Sequence, residues 1–210
     1  MIGKHLIAVL DYGIGNLRSA QKALEYVGAN AELTSDPSVI KKADAVVLPG
    51  VGAFGRCIQA LSKTGLFEIA SKSAVDAING GKFFLGICVG LQLLFESSEE
   101  SPELSGLEAL SGKVSLIKGD VKRPHMQWNK ISWNQESLMF EGLENGEWMY
   151  FVHSYVAPIT NATVATCHYG ERLCAAQING NLWATQFHPE KSGQGGLRIL
   201  KNFVDSVGGV

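Results

Sequence analysis

Through the first hundred positions, short apolar runs alternate with stretches of helical spacing. His5 to Leu10 is almost continuously apolar and predicts a buried parallel strand. Asp11 to Asn16 reads as a turn, with Asn16 as a helix N-cap. Leu17, Ala20, Leu24 and Val27 then share one helical face, and Gly28 ends that helix. Ala31 to Thr34 and Ala45 to Leu48 predict further strands, the latter broken by Pro49-Gly50-Val51-Gly52. Helices follow near Cys57 to Leu61 and from Phe67 to Asn79. Phe83-Phe84-Leu85 predicts a fourth strand, which turns through Gly86-Ile87-Cys88-Val89-Gly90 into a helix at Leu91 to Phe95. Glu96 to Pro102 is polar and acidic and reads as a solvated loop.

The second half changes to strand patterning. Strands are predicted at Val114–Ile117, Lys130–Trp133, Trp148–Val156, Val164–Thr166, Leu173–Ile178 and Leu182–Phe187. Asn179-Gly180 predicts a tight hairpin turn before the last of these. A final helix fits Gly195 to Val207. The fold expected is α/β: a doubly wound, mostly parallel sheet flanked by helices, with a smaller antiparallel β region packed onto it. No linker, repeat or low-complexity segment interrupts the 210 residues, so a single domain over 1–210 is expected.

Composition narrows the function classes. A 46% hydrophobic, 18% charged chain has enough apolar material for a sizeable core. The net charge of −2 gives no electrostatic reason to expect nucleic acid or an anionic membrane as partner. No apolar run reaches the roughly 18–20 residues of a membrane span, and Ile2 to Leu10 is too short for a signal peptide. A cytoplasmic location is expected. The four cysteines, Cys57, Cys88, Cys167 and Cys174, form no CxxC pair, so neither a metal site nor a cofactor is expected.

Cys88 stands apart through its setting. A strand that turns sharply through a glycine-flanked cysteine into a helix has the geometry of a nucleophile elbow, with thiol in place of hydroxyl. The glycines are required because a Cβ beside so tight a turn would clash, and the helix N-terminus favours a sulfur anion. A nucleophile needs a base and a group to orient it. Of five histidines, His188 follows a predicted strand within Gln186-Phe187-His188-Pro189-Glu190. Pro189 disfavours helix at His188, and in extended chain His188 and Glu190 face one way. Glu190 is then placed to orient the imidazole. His153 is the rival base, but residue 155 is tyrosine rather than a carboxylate. The Pro49–Gly52 segment ends its strand at the same sheet edge as Cys88. Its backbone N–H groups and that of Val89 are candidate oxyanion donors.

The elbow, the Pro-Gly-Val-Gly strand and the His-Pro-Glu end together resemble the class I (triad) glutamine amidotransferases. Asp11 to Ser19, Pro49 to Phe54, Pro124-His125-Met126, Trp128-Asn129, Tyr150 to Tyr155 and Gln186 to Ser192 narrow the resemblance to the glutaminase subunit of imidazole glycerol phosphate synthase. The resemblance spans essentially the whole chain. It implies Cys88 as nucleophile, His188 as acid/base and Glu190 as orienting carboxylate. It further implies that the strand at Val51-Gly52 donates to the oxyanion and that Gly52, Gln92, Ser154 and Tyr155 hold L-glutamine. Asn16, Trp128, Tyr150 and Lys191 would face a (β/α)₈ cyclase in a heterodimer. The strand at Pro49–Gly52, rich in glycine, is the segment expected to reorient when the partner is engaged. Gln127 departs from the glycine usual between Met126 and Trp128. The glutaminase component of anthranilate, guanylate or pyridoxal phosphate synthesis remains the alternative.

Overall fold

The computed structural model describes residues 5–133 and 135–209. In chain order its elements are β1 (Leu6–Leu10), α1 (Leu17–Tyr26), β2 (Asn30–Thr34), α2 (Pro37–Lys42), β3 (Ala45–Gly50), α3 (Phe54–Lys63), α4 (Phe67–Ile78) and β4 (Phe83–Cys88). There follow α5 (Val89–Leu93), β5 (Phe95–Ser98), β6 (Leu110–Leu116), β7 (His125–Lys130), β8 (Trp148–His153) and β9 (Tyr155–Val156). The last are β10 (Thr163–Tyr169), β11 (Glu171–Asn179), β12 (Leu182–Thr185) and α6 (Gly193–Val207).

Seven strands form the central sheet in the order β10-β11-β12-β4-β3-β1-β2. Strands β2, β1, β3, β4 and β12 run parallel, and β11 and β10 extend the edge antiparallel. The expected antiparallel region is therefore partly a continuation of the main sheet rather than a layer packed onto it. β1, β3 and β4 are almost wholly buried, which explains their near-continuous apolar runs. Helices flank the sheet, α1 beside α6 and α3 beside α4. Two smaller assemblies, β5-β6-β9 and the β7-β8 ribbon, cover the carboxyl edge.

Several boundaries differ from expectation for identifiable reasons. β3 continues through Pro49 and Gly50, because beyond Val47 it pairs only with β4 and the missing proline N–H breaks no ladder bond. The Trp148–Val156 segment divides at Ser154, where the chain leaves the β7 ribbon to pair with β6. The Lys130–Trp133 strand lies earlier, at β7. Phe95–Ser98, at the start of the expected acidic loop, is a strand, with Ser98 fully buried. The hairpin loop is Gly180-Asn181, one residue later than expected, because Asn179 and Leu182 form the closing pair. Asn16 occupies the N-cap of α1, but its side chain accepts from the Ser19 hydroxyl rather than from a helix N–H.

Candidate active site

The carboxyl ends of β1, β3, β4 and β12 converge, as ligand sites do in open α/β sheets. Between them lies a cavity of about 560 Å³. Its walls include Asn16, Val51, Gly52, Cys88, Val89, Gln92, Ser154, Tyr155, His188 and Lys191. The expected site residues are thus brought to one cavity, except Glu190 behind His188, and Trp128 and Tyr150 on the neighbouring ribbon.

Cys88 ends β4 with φ 56 and ψ −108, a conformation that non-glycine residues rarely hold. The flanking glycines make it attainable. A Cβ on Gly90 would collide with the Leu48 carbonyl oxygen, and one on Gly86 would lie 3.0 Å from the Gly90 backbone. Gly50, paired with Cys88 across the sheet, likewise has room for no Cβ: Val89 and Gly90 would be 2.9 Å away. The helix after Cys88 has only five residues and ends at Leu93, so it carries little dipole. The side chain that donates to the sulfur is Gln186, whose Nε2 lies 3.7 Å from it.

His188 and Glu190 are bonded, Nδ1 to Oε1, at 2.8 Å, and both side chains are almost fully buried. Strand alternation is not the cause. His188 is extended (φ −96, ψ 97), but Pro189–Lys191 form a single 3₁₀ turn that folds Glu190 back onto the ring. Ser192 fastens this turn, donating to the His188 carbonyl at 2.6 Å and accepting from the Tyr150 N–H at 3.0 Å. Burial opposes charge on His188, but its interactions with Cys88 and Glu190 outweigh that, and its pKa rises to about 10. Its Nε2 has no hydrogen-bond partner among the described residues, leaving that atom free for a reacting group.

The strand at Pro49–Gly52 is held from behind. Tyr12 donates to the Pro49 carbonyl at 2.6 Å, and the Cys57 thiol donates to the Val51 carbonyl at 3.5 Å. A trans peptide sets C=O and N–H opposite one another, so the Gly52 N–H is directed away from Cys57. Gly52 itself sits at φ 86, a conformation suited to glycine. Glu100, from the expected acidic loop, reaches the cavity and accepts from the Phe54 N–H at the start of α3.

The rival histidine is already committed. His153 Nδ1 is bonded to the Tyr155 carbonyl at 2.9 Å and its Nε2 to His125 Nδ1 at 3.0 Å. Burial holds both rings neutral, His125 at about 4 and His153 at about 3. His125 is further clamped between the Phe151 and Tyr169 rings. Trp128 and Tyr150 pair across the ribbon, with ring centroids 6.1 Å apart. Gln127 is exposed on β7 and does not have a positive φ, so the backbone there does not require glycine.

A buried cysteine elbow, a histidine–carboxylate pair and a glycine strand in one cavity are the parts a thiol-based hydrolase of the glutamine amidotransferase kind requires. Residues 8–207 match the family described as "Glutamine amidotransferase class-I", and the chain belongs to that family. Within it the chain belongs with the proteins called imidazole glycerol phosphate synthase subunit HisH. The relative from Syntrophotalea carbinolica is 48% identical over 95% of this chain and 100% of its own length. That from Methanothermobacter thermautotrophicus is 48% identical over 96% of this chain and 99% of its own length. Among solved structures, a glutamine amidotransferase superposes with a TM-score of 0.73 at 20% identity, covering 96% of this chain and 98% of that one. A putative GMP synthase component from Thermoplasma acidophilum gives 0.71 at 20% identity, covering 98% and 94%. These two similarities concern the fold.

Proposed function

We propose that this chain is the glutaminase subunit of imidazole glycerol phosphate synthase, hydrolysing L-glutamine to glutamate and ammonia for histidine biosynthesis. The observation that carries this reading is the single cavity in which the Cys88 elbow meets the buried His188–Glu190 pair. In this reading Cys88 Sγ attacks the side-chain amide carbon of glutamine. Backbone N–H groups at Val51, Gly52 and Val89 stabilise the developing oxyanion, each donor being worth about 3–4 kcal/mol in comparable sites. His188 Nε2 gives its proton to the amide nitrogen, the C–N bond breaks, and ammonia leaves a glutamyl thioester on Cys88. His188 then takes a proton from water as the water oxygen attacks the thioester carbon. The C–S bond breaks and glutamate is released.

Gly52, Gln92, Ser154 and Tyr155 hold the substrate. Both Nε2 hydrogens of Gln92 are engaged, on the Tyr155 carbonyl and Gln186 Oε1, so only its Oε1 is free. Gln92 therefore accepts from substrate rather than donating to it. Asn16 and Lys191, which line the cavity, and Trp128 and Tyr150 on the β7–β8 ribbon form the docking face for a (β/α)₈ cyclase in a heterodimer. Ammonia passes there and is consumed in forming imidazole glycerol phosphate and aminoimidazole carboxamide ribotide. The chain acts as a single cytoplasmic domain, and no described helix is long and apolar enough to cross a membrane. We further propose that the partner and its ligand reorient the Pro49–Gly52 strand.

The test is glutamate release by the chain alone, with the cyclase, and with the cyclase and its ligand. Equal rates in all three would overturn the partner-dependent part of the reading. Cys88→Ala is expected to abolish glutamine hydrolysis while ammonia-dependent synthesis by the complex persists. Loss of both contradicts the division of labour.

A further inference from the structure

A chain of buried polar side chains runs from the ribbon to the nucleophile, and its direction can be worked out atom by atom. Carbonyl oxygens only accept, which removes the usual ambiguity of amide and imidazole orientation. The Tyr155 carbonyl accepts from His153 Nδ1 at 2.9 Å, so a neutral His153 has its lone pair at Nε2. That nitrogen faces His125 Nδ1 at 3.0 Å, which must carry a hydrogen. His125 Nε2 then accepts from Asn129 Nδ2 at 3.3 Å, and Asn129 Nδ2 is independently pinned by the His168 carbonyl at 3.0 Å. Both ends of the histidine pair thus rest on backbone carbonyls, and each ring carries its hydrogen on Nδ1.

The same Tyr155 carbonyl also accepts from Gln92 Nε2 at 2.8 Å. That fixes which end of the Gln92 amide is nitrogen. Its second hydrogen goes to Gln186 Oε1 at 3.0 Å, which in turn fixes Gln186. Gln186 has no choice but to aim Nε2 at Cys88 Sγ. Gln186 is fully buried, Gln92 is 3% exposed, and Gln186 is absent from the cavity wall.

We propose that Gln186 is a positioning residue for Cys88. Its orientation is locked through Gln92 to the Tyr155 carbonyl, so that an N–H always faces the sulfur while the substrate never touches it. The donor holds the sulfur in line for attack and supports its anionic form through a charge-assisted bond. This rests on the glutaminase reading for the kinetic arm of its test only; the reactivity of the thiol toward a small alkylating agent does not depend on that reading.

The test compares wild type with Gln186→Glu, which keeps the shape but turns an acceptor to the sulfur, and Gln186→Met, which removes the polar group. Alkylation of Cys88 by iodoacetamide is followed by mass spectrometry on the folded chain. Glutamine turnover is followed in the cyclase complex. Both variants are expected to alkylate about tenfold more slowly and to lose about tenfold in kcat, with KM within about twofold. Gln92→Met supplies a second route, since it frees Gln186 to turn without altering Gln186 itself. It is expected to slow alkylation about threefold. If all three variants fold, by circular dichroism, and alkylate at the wild-type rate, the proposal is overturned. A rise in KM with kcat unchanged would overturn it equally, by making Gln186 a contributor to substrate binding. If the wild-type complex hydrolyses no glutamine, the glutaminase reading fails while the alkylation comparison still decides the role of Gln186.

Discussion

The thiol of Cys57 donates to the carbonyl oxygen of Val51 across 3.5 Å. Burial pushes that thiol up to about 11, so it stays protonated and remains a donor. Cys57→Ala leaves the Val51 carbonyl without its partner, at a cost of about 1–3 kcal/mol. We expect a lower urea midpoint and slower glutamine turnover in the cyclase complex. Cys57→Ser, which restores a donor, is expected to recover most of both. Recovery by alanine as well would show that the bond does not order the strand.

The interactions of His188 with Cys88 and Glu190 make stability depend on alkaline pH. The histidine pKa is raised to about 10 from its ordinary 6.5. A raised pKa stabilises fully below the unfolded value and is lost as pH climbs through the folded one. The melting temperature is therefore expected to fall between those two values. In Glu190→Gln that fall is expected to be shallower, and turnover about a hundredfold lower, in line with loss of an orienting carboxylate. Matching melting curves for the two proteins across that range would contradict the assignment.

The second histidine pair acts at the other end of the scale. His125 and His153 are depressed to about 4 and about 3 by burial. On acidification below their ordinary 6.5 the unfolded chain takes up protons that the folded one refuses. Stability is thus expected to drop as pH falls from that value toward 4. His125→Gln removes one of the two groups and is expected to flatten the acid slope of the unfolding free energy, while lowering stability at neutral pH.

Gln127 is exposed on β7 and paired with Phe151. Replacing it with glycine adds backbone freedom in a strand and is expected to cost about 0.5–1 kcal/mol in thermal or urea unfolding. Glutamine turnover in the complex is expected to change by less than about twofold. A large gain in activity would mean that the side chain obstructs the partner.

Much of the parallel sheet and its nucleophile is legible in the chain itself. Runs such as Ala45–Leu48 and Phe83–Leu85 announce buried parallel strands because both faces are covered, and the Gly-x-Cys-x-Gly spacing announces the tight turn. The His188–Glu190 pairing is legible too, but its cause is not strand alternation: Pro189 starts a 3₁₀ turn instead of prolonging the strand. The role of Gln186 escapes notice because a buried glutamine just past the end of β12 looks like any other until its neighbours are known. Ser98 and Glu100 read as solvated loop because their burial depends on β6 and α3, elements remote in sequence. Asn129 and His168 likewise meet only through the sheet.

The ladder between β4 and β12 joins Phe84 through Ile87 to Leu182 through Thr185. It sets the spacing of the thiol and the imidazole across a hundred residues of chain. A contact of such separation carries a large loop-closure cost. During synthesis, then, Cys88 leaves the ribosome long before His188, and the nascent chain carries a thiol with no base. Until the last hairpin inserts, one edge of β4 stays open to whatever strand it meets first. The cell is spared a half-built ammonia source, at the risk of a sticky intermediate.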